Sequence, residues 1–202
     1  FTGVRHRHSI LLAKRGSGPC RLRTTRFVKW FSDERSCLFQ SFLEYVEAAS
    51  EGVAAFPKVS CSLELQILER LQRFDRLGDA ITKTGHHIYY HNAPVHWGKV
   101  FDFVPMYRVD GGASSRSSHL KDICFRTKEE AAFAICLLNS SLFYWFNWQF
   151  SNCRDLSLGD VERAPARLRG TSPSAIRHFV PLCKSLMDDL RRHRKVYRRE
   201  SK

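Results

Sequence analysis

The sequence lacks the short motifs that mark the common catalytic sites. It contains no GxxxxGK[ST] phosphate loop, no GxGxxG, no GxSxG and no HExxH, which removes the standard nucleotide-binding, hydrolase and zinc-protease chemistries. Its seven cysteines (Cys20, Cys37, Cys61, Cys124, Cys136, Cys153, Cys183) never lie closer than twelve residues, so no CxxC pair exists. A zinc site would need ligands from distant segments. The odd cysteine count and the lack of a signal-like opening predict a reducing, cytoplasmic setting rather than a disulfide framework. Ala131 to Phe150 is largely apolar, but Asn139, Ser140, Ser141, Asn147 and Gln149 interrupt it. No membrane is implied; two short buried helices with a polar break are expected. There is no internal repeat and no low-complexity block.

Acid is also missing from one end. Residues 1–30 hold eight Lys or Arg and no Asp or Glu, and residues 191–202 hold seven against Glu200 alone. With a net charge of +13 over 202 residues, the chain is a near-neutral body with two basic ends. Such ends can track nucleic-acid phosphates or merely hold the protein in solution; for a bare charge run the solvated face is the commoner role. Hydrophobic residues at 43% and charged residues at 26% exclude wholesale disorder and support a core in one domain or a small pair. The chain opens on Phe1 rather than Met, so a piece of a longer protein is expected.

The pattern along the chain predicts an α+β fold. Residues 8–14 read as a short buried strand ended by Arg15-Gly-Ser-Gly-Pro19, and Arg21 to Trp30 as a second, polar strand. Asp33 is a cap for a helix over 34–49 that buries Leu38, Phe42, Leu43 and Val46. Ser62 caps a helix with Leu63, Ile67, Leu71 and Phe74 on one face and Gly78 at its end. His86 to Met106 reads as strands with tight connections, Gly111 to Ser118 as a flexible polar loop, and Asp122 to Arg126 as a further strand. Thr127 and Glu130 form a capping box for a helix over 128–138. Asn139-Ser-Ser141 breaks that helix and starts an aromatic one, in which Leu142 and Trp145 are expected to be buried. Ser172 caps a final helix with Pro173 at its first position, and Pro181 should kink it.

Few residues offer chemistry. His86, His87, His91 and His96 form the one histidine cluster. On a strand, His87 and His91 share a face but stand some thirteen ångströms apart, so structural or DNA-facing roles are favoured over metal. The pairs Glu129-Glu130 and Asp188-Asp189 lie in predicted helices, where capping and solvation explain them. The loop Gly111 to Lys121 combines glycines, serines, Arg116, His119 and Lys121 with no acid. Its alternatives are a mobile DNA-reading loop and an ordinary surface loop. Phe143, Tyr144, Trp145, Phe146 and Trp148 could stack on bases, but so many aromatics in one helix are expected to be mainly core. Tyr89 and Tyr90 point to opposite faces of a strand, so one at most faces a ligand.

Four segments resemble a known family. Phe1-Thr-Gly-Val-Arg-His-Arg-His-Ser-Ile-Leu-Leu-Ala-Lys14 looks like the last hairpin of an adenine-N6 DNA methyltransferase catalytic domain. Asp33-Glu-Arg35 with Leu38-Phe39, Tyr45 and Phe56-Pro57-Lys58 resembles the segment that follows it in type II restriction–modification methylases. His87-Ile-Tyr-Tyr-His-Asn-Ala-Pro-Val-His-Trp97 with Phe101 to Pro105 resembles the start of their target-recognition region. Leu138-Asn-Ser-Ser-Leu-Phe-Tyr-Trp145 with Ser151-Asn-Cys-Arg-Asp-Leu156 resembles its helical centre, in the manner of a TaqI-like C-terminal specificity domain. The likeness reaches about residue 166. The Asn-Pro-Pro-Tyr motif and the glycine-bearing cofactor loop of such enzymes are absent from this sequence.

The resemblance therefore implies the DNA-recognition half of a methylase. Residues 1–30 would be terminal strands of its methyltransferase domain, 31–84 a helical linker, 85–170 the target-recognition domain and 171–202 a basic helix. The partners implied are double-stranded DNA and an N-terminal methyltransferase domain of the same parent chain. S-adenosylmethionine would serve the parent, with no cofactor and no catalytic residue in the fragment. Because a base must leave the stack before it is modified, a separate module has to grip and read the duplex. The residues expected to do so are Tyr90, Asn92, Lys99, Arg116, Ser117, Ser118, Lys121 and Arg154. A stand-alone nucleic-acid-binding protein and a protein-interaction module with basic solvated ends stay open beside this reading.

Overall fold

The computed structural model describes residues 10–15, 21–42, 44–48, 56–93, 98–108, 114–168 and 170–193. Residues 1–9, Leu43, His96, Trp97, Gly111 to Ala113 and the basic run after His193 lie outside the described residues. The architecture is α+β. Its centre is a four-stranded antiparallel sheet of β3 (Ile81–Thr82), β4 (His86–His91), β5 (Val100–Phe101) and β8 (Leu120–Phe125), ordered β3-β8-β4-β5. β6 (Met106–Arg108) and β7 (Ser114–Arg116) form a separate two-stranded ladder with Met106 opposite Arg116.

Alternation decides which way β4 faces. Ile88 and Tyr90 are buried, whereas His86, His87, Tyr89 and His91 keep some exposure. The buried face packs on α2 (Lys128–Leu138), which lies between the sheet and α6 (Phe179–Arg192). Covered on two sides, α2 is apolar nearly all round, and Ala131, Ala132 and Ala134 let its neighbours approach closely. The capping box starts it as expected: Thr127 Oγ1 accepts from Glu130 N at 3.1 Å, and Glu130 Oε2 accepts from Thr127 N at 3.2 Å.

Asn139 does more than end that helix. Its side chain accepts from Val100 N at 3.2 Å and donates to Val100 O at 2.9 Å, acting as a neighbour for edge strand β5. Just before it, Gly98 passes so near α2 that a Cβ there would sit 2.6 Å from the Leu138 carbonyl oxygen. Ser140 then caps α3 (Ser141–Phe150) by accepting from Phe143 N at 3.1 Å. One core runs from Leu77 through the sheet, α2 and Phe143 to Cys183 and Met187, across residues 85 and 171. A smaller one joins Val59, Leu68, Leu71 and Phe146, with Trp145 half-buried against it.

The region before residue 60 departs from expectation. The supposed buried strand over 8–14 is irregular where described, with Ile10, Leu11 and Leu12 exposed at 69%, 74% and 91%. It has no ladder partner among the described residues, and a strand without one cannot bury its backbone. Of Arg21 to Trp30 only β1 (Leu22–Thr24) is strand, paired with β2 (Val46–Ala48). The helix over 34–49 does not form as such. Ser32–Cys37 winds as a tight 3-10 turn and Leu38–Phe42 as a π turn, before pairing with β1 draws Val46 into strand. Asp33 is not the cap; Glu34 Oε2 accepts from Phe31 N at 2.7 Å instead.

Smaller corrections follow the same logic. α1 (Ser62–Gln72) is capped one residue earlier, at Cys61, and buries Leu68 and Leu71, leaving Leu63 and Phe74 exposed. Gly78 sits in a 3-10 turn against Glu162 of α4 (Leu158–Glu162) rather than at the end of α1. Leu142 is 44% exposed; the buried aromatics of α3 are Phe143 and Phe146. Ser172 caps α5 (Pro173–Arg177) as expected, and the break before α6 falls at His178. Pro181 causes it, since its ring cannot donate to the carbonyl four residues back, that of Arg177.

Candidate functional site

The face of the sheet turned away from α2 gathers most of the polar chemistry. His87 and Tyr89 point outward from β4, with Cys124 and Asp122 of β8 opposite them in register. β7 places Arg116 on this face. Its guanidinium lies 5.6 Å from the centre of the Tyr89 ring, and its Nη2 donates to Asp122 Oδ1 at 3.0 Å and to Leu120 O at 3.2 Å. The other oxygen, Asp122 Oδ2, is 3.3 Å from His87 Nδ1. Arg116 first, then His87, holds the Asp122 carboxyl below the usual carboxylate range.

A second group stands at the far end of β4. The His91 and His119 rings are 5.5 Å apart. His91 Nδ1 accepts from Ala93 N at 3.2 Å, which leaves the proton of the neutral ring on Nε2. Burial, then Lys99 and His119, pushes His91 below its ordinary range. His119 Nδ1 donates to Asn92 Oδ1 at 3.1 Å, while the Asn92 backbone bonds His119 O at 2.9 Å and Leu156 N at 2.8 Å. Asn92 is thus fastened to both the β7–β8 turn and the segment after α3.

The expected site residues divide. Asn92, Lys99, Arg116, Ser117 and Ser118 come together along this face and its rim, whereas Lys121, opposite Tyr90 in register, leaves the sheet on its other face. Ser117 Oγ accepts from His119 N at 3.2 Å and the Ser118 carbonyl accepts from Lys121 Nζ at 3.4 Å, so both serines shape the turn. Tyr90 does not join them. It is 2% exposed in the core, and burial raises its phenol pKa; Tyr89 is the tyrosine that faces out. Arg154 lines a shallow cleft with Gly98, Tyr144, Asn147, Trp148 and Leu156, and Leu156 N bonds Asn92 O at 2.8 Å.

Sequence reasoning missed Asp122, one residue beyond the acid-free loop, and with it the ion pair to Arg116. The signal for Tyr89 was present: Ile88 and Tyr90 share a phase, and the phase containing isoleucine is the buried one. Arg191, counted among the free basic residues of the C-terminus, is engaged. It pairs with Asp102 and with Asp188, and its guanidinium lies 4.5 Å over Phe103.

Cys124 Sγ is 3.2 Å from His87 Nδ1, but burial, with Asp122 nearby, raises the thiol pKa, so the reactive thiolate is disfavoured. Among the described residues no group of three or more His, Cys, Asp or Glu is placed to hold a metal ion, and no helix is long and apolar enough to cross a membrane. Compared with family models, with curated proteins and with solved structures, the chain matches none of them.

Proposed function

We propose that this chain recognises duplex DNA, as the target-reading part of an adenine-N6 DNA methyltransferase whose catalytic domain and S-adenosylmethionine site belong to other parts of its parent. The observation that carries the reading is the sheet face turned away from α2. Arg116, Lys99, three histidines and Tyr89 stand on or beside a surface whose central carboxylate, Asp122, is already paired. Lysines and arginines supply phosphate contacts, and Asn, Ser and Arg side chains supply adaptable donors for base edges. The helices behind the sheet hold this surface rigid, as a module that presents one base to a separate active site requires.

Exposed Ile10, Leu11, Leu12, Trp30, Phe31 and Phe39 favour a second, compatible role in protein contact. In the proposed parent they would face the methyltransferase domain. Fluorescence anisotropy with labelled duplex at several salt concentrations tests the DNA reading. Neutralising about six phosphates should give a slope of log K against log salt near −5. A flat response, or no binding at low salt, would overturn it and leave protein contact as the better account.

A further inference from the structure

The Arg116–Asp122 pair carries an inference that rests on the DNA reading and adds a residue to it. A guanidinium is a planar fork of five N–H donors. Its two-pronged edges are Nε with Nη2 and Nη1 with Nη2, so every bidentate contact uses Nη2. In this structure Arg116 Nη2 is the atom that bonds both Asp122 Oδ1 and Leu120 O. Nε and Nη1 have no acceptor among the described residues. Arg116 can therefore touch a single acceptor as it stands, but gripping a pair of acceptors displaces either Asp122 or the Leu120 carbonyl from Nη2.

Charge sharpens the choice of ligand. With Asp122 at 3.0 Å, the pair presents almost no net charge to an approaching phosphate. If a phosphate drew Arg116 away, it would lie against the freed carboxylate, and the two anions would repel. A guanine major-groove edge offers O6 and N7 as two acceptors and carries no charge. Tyr89 beneath the guanidinium and His87 on Asp122 Oδ2 keep both partners in place meanwhile.

We infer that Asp122 is a specificity-determining residue of the DNA face, withholding Arg116 from phosphates and yielding it to a guanine edge. The test compares wild type, Asp122→Asn, Arg116→Ala and the double variant in salt titrations and in selection from a random duplex library. Asp122→Asn should bind all duplexes about fivefold or more tightly, steepen the salt slope by about 0.9, and flatten the preference for guanine at one position. Arg116→Ala should lose that preference by about tenfold, and in the double variant the gain should vanish. Should the Asn variant fold poorly, wild type suffices: its Asp122 carboxyl, followed by carbon NMR, should titrate higher once a selected duplex is bound.

Each failure is distinct. Wild-type binding with a steep salt slope that Asp122→Asn leaves unchanged would overturn the role of Asp122 alone. An unmoved Asp122 titration with the selected duplex bound would do the same. No duplex binding by either protein would overturn the DNA reading, and this inference with it.

Discussion

Replacing Lys58 by methionine would remove one charge and three hydrogen bonds while keeping most of the aliphatic stem. Lys58 Nζ donates to the carbonyls of Trp148 at 3.0 Å, Gln149 at 3.2 Å and Ser151 at 2.8 Å. The last carbonyls of a helix have no partner within it, and a cation there also meets the negative end of the helix dipole. An ammonium has three donors, matching the three acceptors at the end of α3. A hydrogen bond to a charged group contributes about 1.5–3 kcal/mol. Three bonds to one half-buried nitrogen share a single charge, and ordering the lysine costs about 2 kcal/mol. A net loss of about 2–3 kcal/mol follows for Lys58→Met, or about 1 M in the urea midpoint at an ordinary slope. Hydrogen exchange should accelerate first around 149–153, because the same stretch binds Lys58 N through Gln149 O at 3.1 Å. Lys83, exposed in the β3–β4 turn, is the control and should change stability by less than about 0.5 kcal/mol. If Lys58→Met falls within the range of the control at unchanged slope, these contacts do not hold α3, and the reasoning fails.

Two further outcomes are expected. Phe143→Ala, at a side chain of α3 that is 3% exposed in the main core, should cost about 3–5 kcal/mol, and Leu142→Ala about 1 kcal/mol or less; chemical denaturation that reverses this order would refute the phase of α3. Asp122 titrates lower in the folded protein than in the unfolded chain, so its contribution to stability is full above the ordinary carboxylate range and is lost as pH falls through the lowered value. Acid unfolding of wild type and Asp122→Asn should therefore diverge near neutral pH and converge at strongly acid pH; a constant gap would refute the shift.

What could be read along the chain was what local chemistry decides. Thr127 with Glu130, Ser140 before Phe143, and Ser172 with Pro173 each satisfy orphan helix donors within four residues, so each helix start was visible without a fold. Pro181 acts over the same range, and only the position of the break was misplaced, because a proline disturbs the carbonyl four residues behind it. Before residue 60 the anchor read, Asp33 as a cap, was the wrong one. The pairing of Leu22 with Ala48 that follows the 3-10 and π turns joins segments more than twenty residues apart.

The site shows the same division in its charges. The loop through Lys121 looked purely basic because it was read as a window, and a window ends where the sheet does not. Antiparallel register sets Asp122 opposite Tyr89, while the β6–β7 ladder brings Arg116 over both, so the nearest carboxylate in space lies just outside the loop in sequence. Arg191 makes the point from the other end, bound to Asp102 across the fold. A run of basic residues therefore overstates the field that a ligand meets, and the counterion that corrects it decides function as much as the cation does. Here that counterion is held by two partners, Arg116 of the β6–β7 hairpin and His87 of β4. On the proposed DNA reading, that position lets Asp122 tune which ligands Arg116 can take, a role that an acid elsewhere on the surface could not serve.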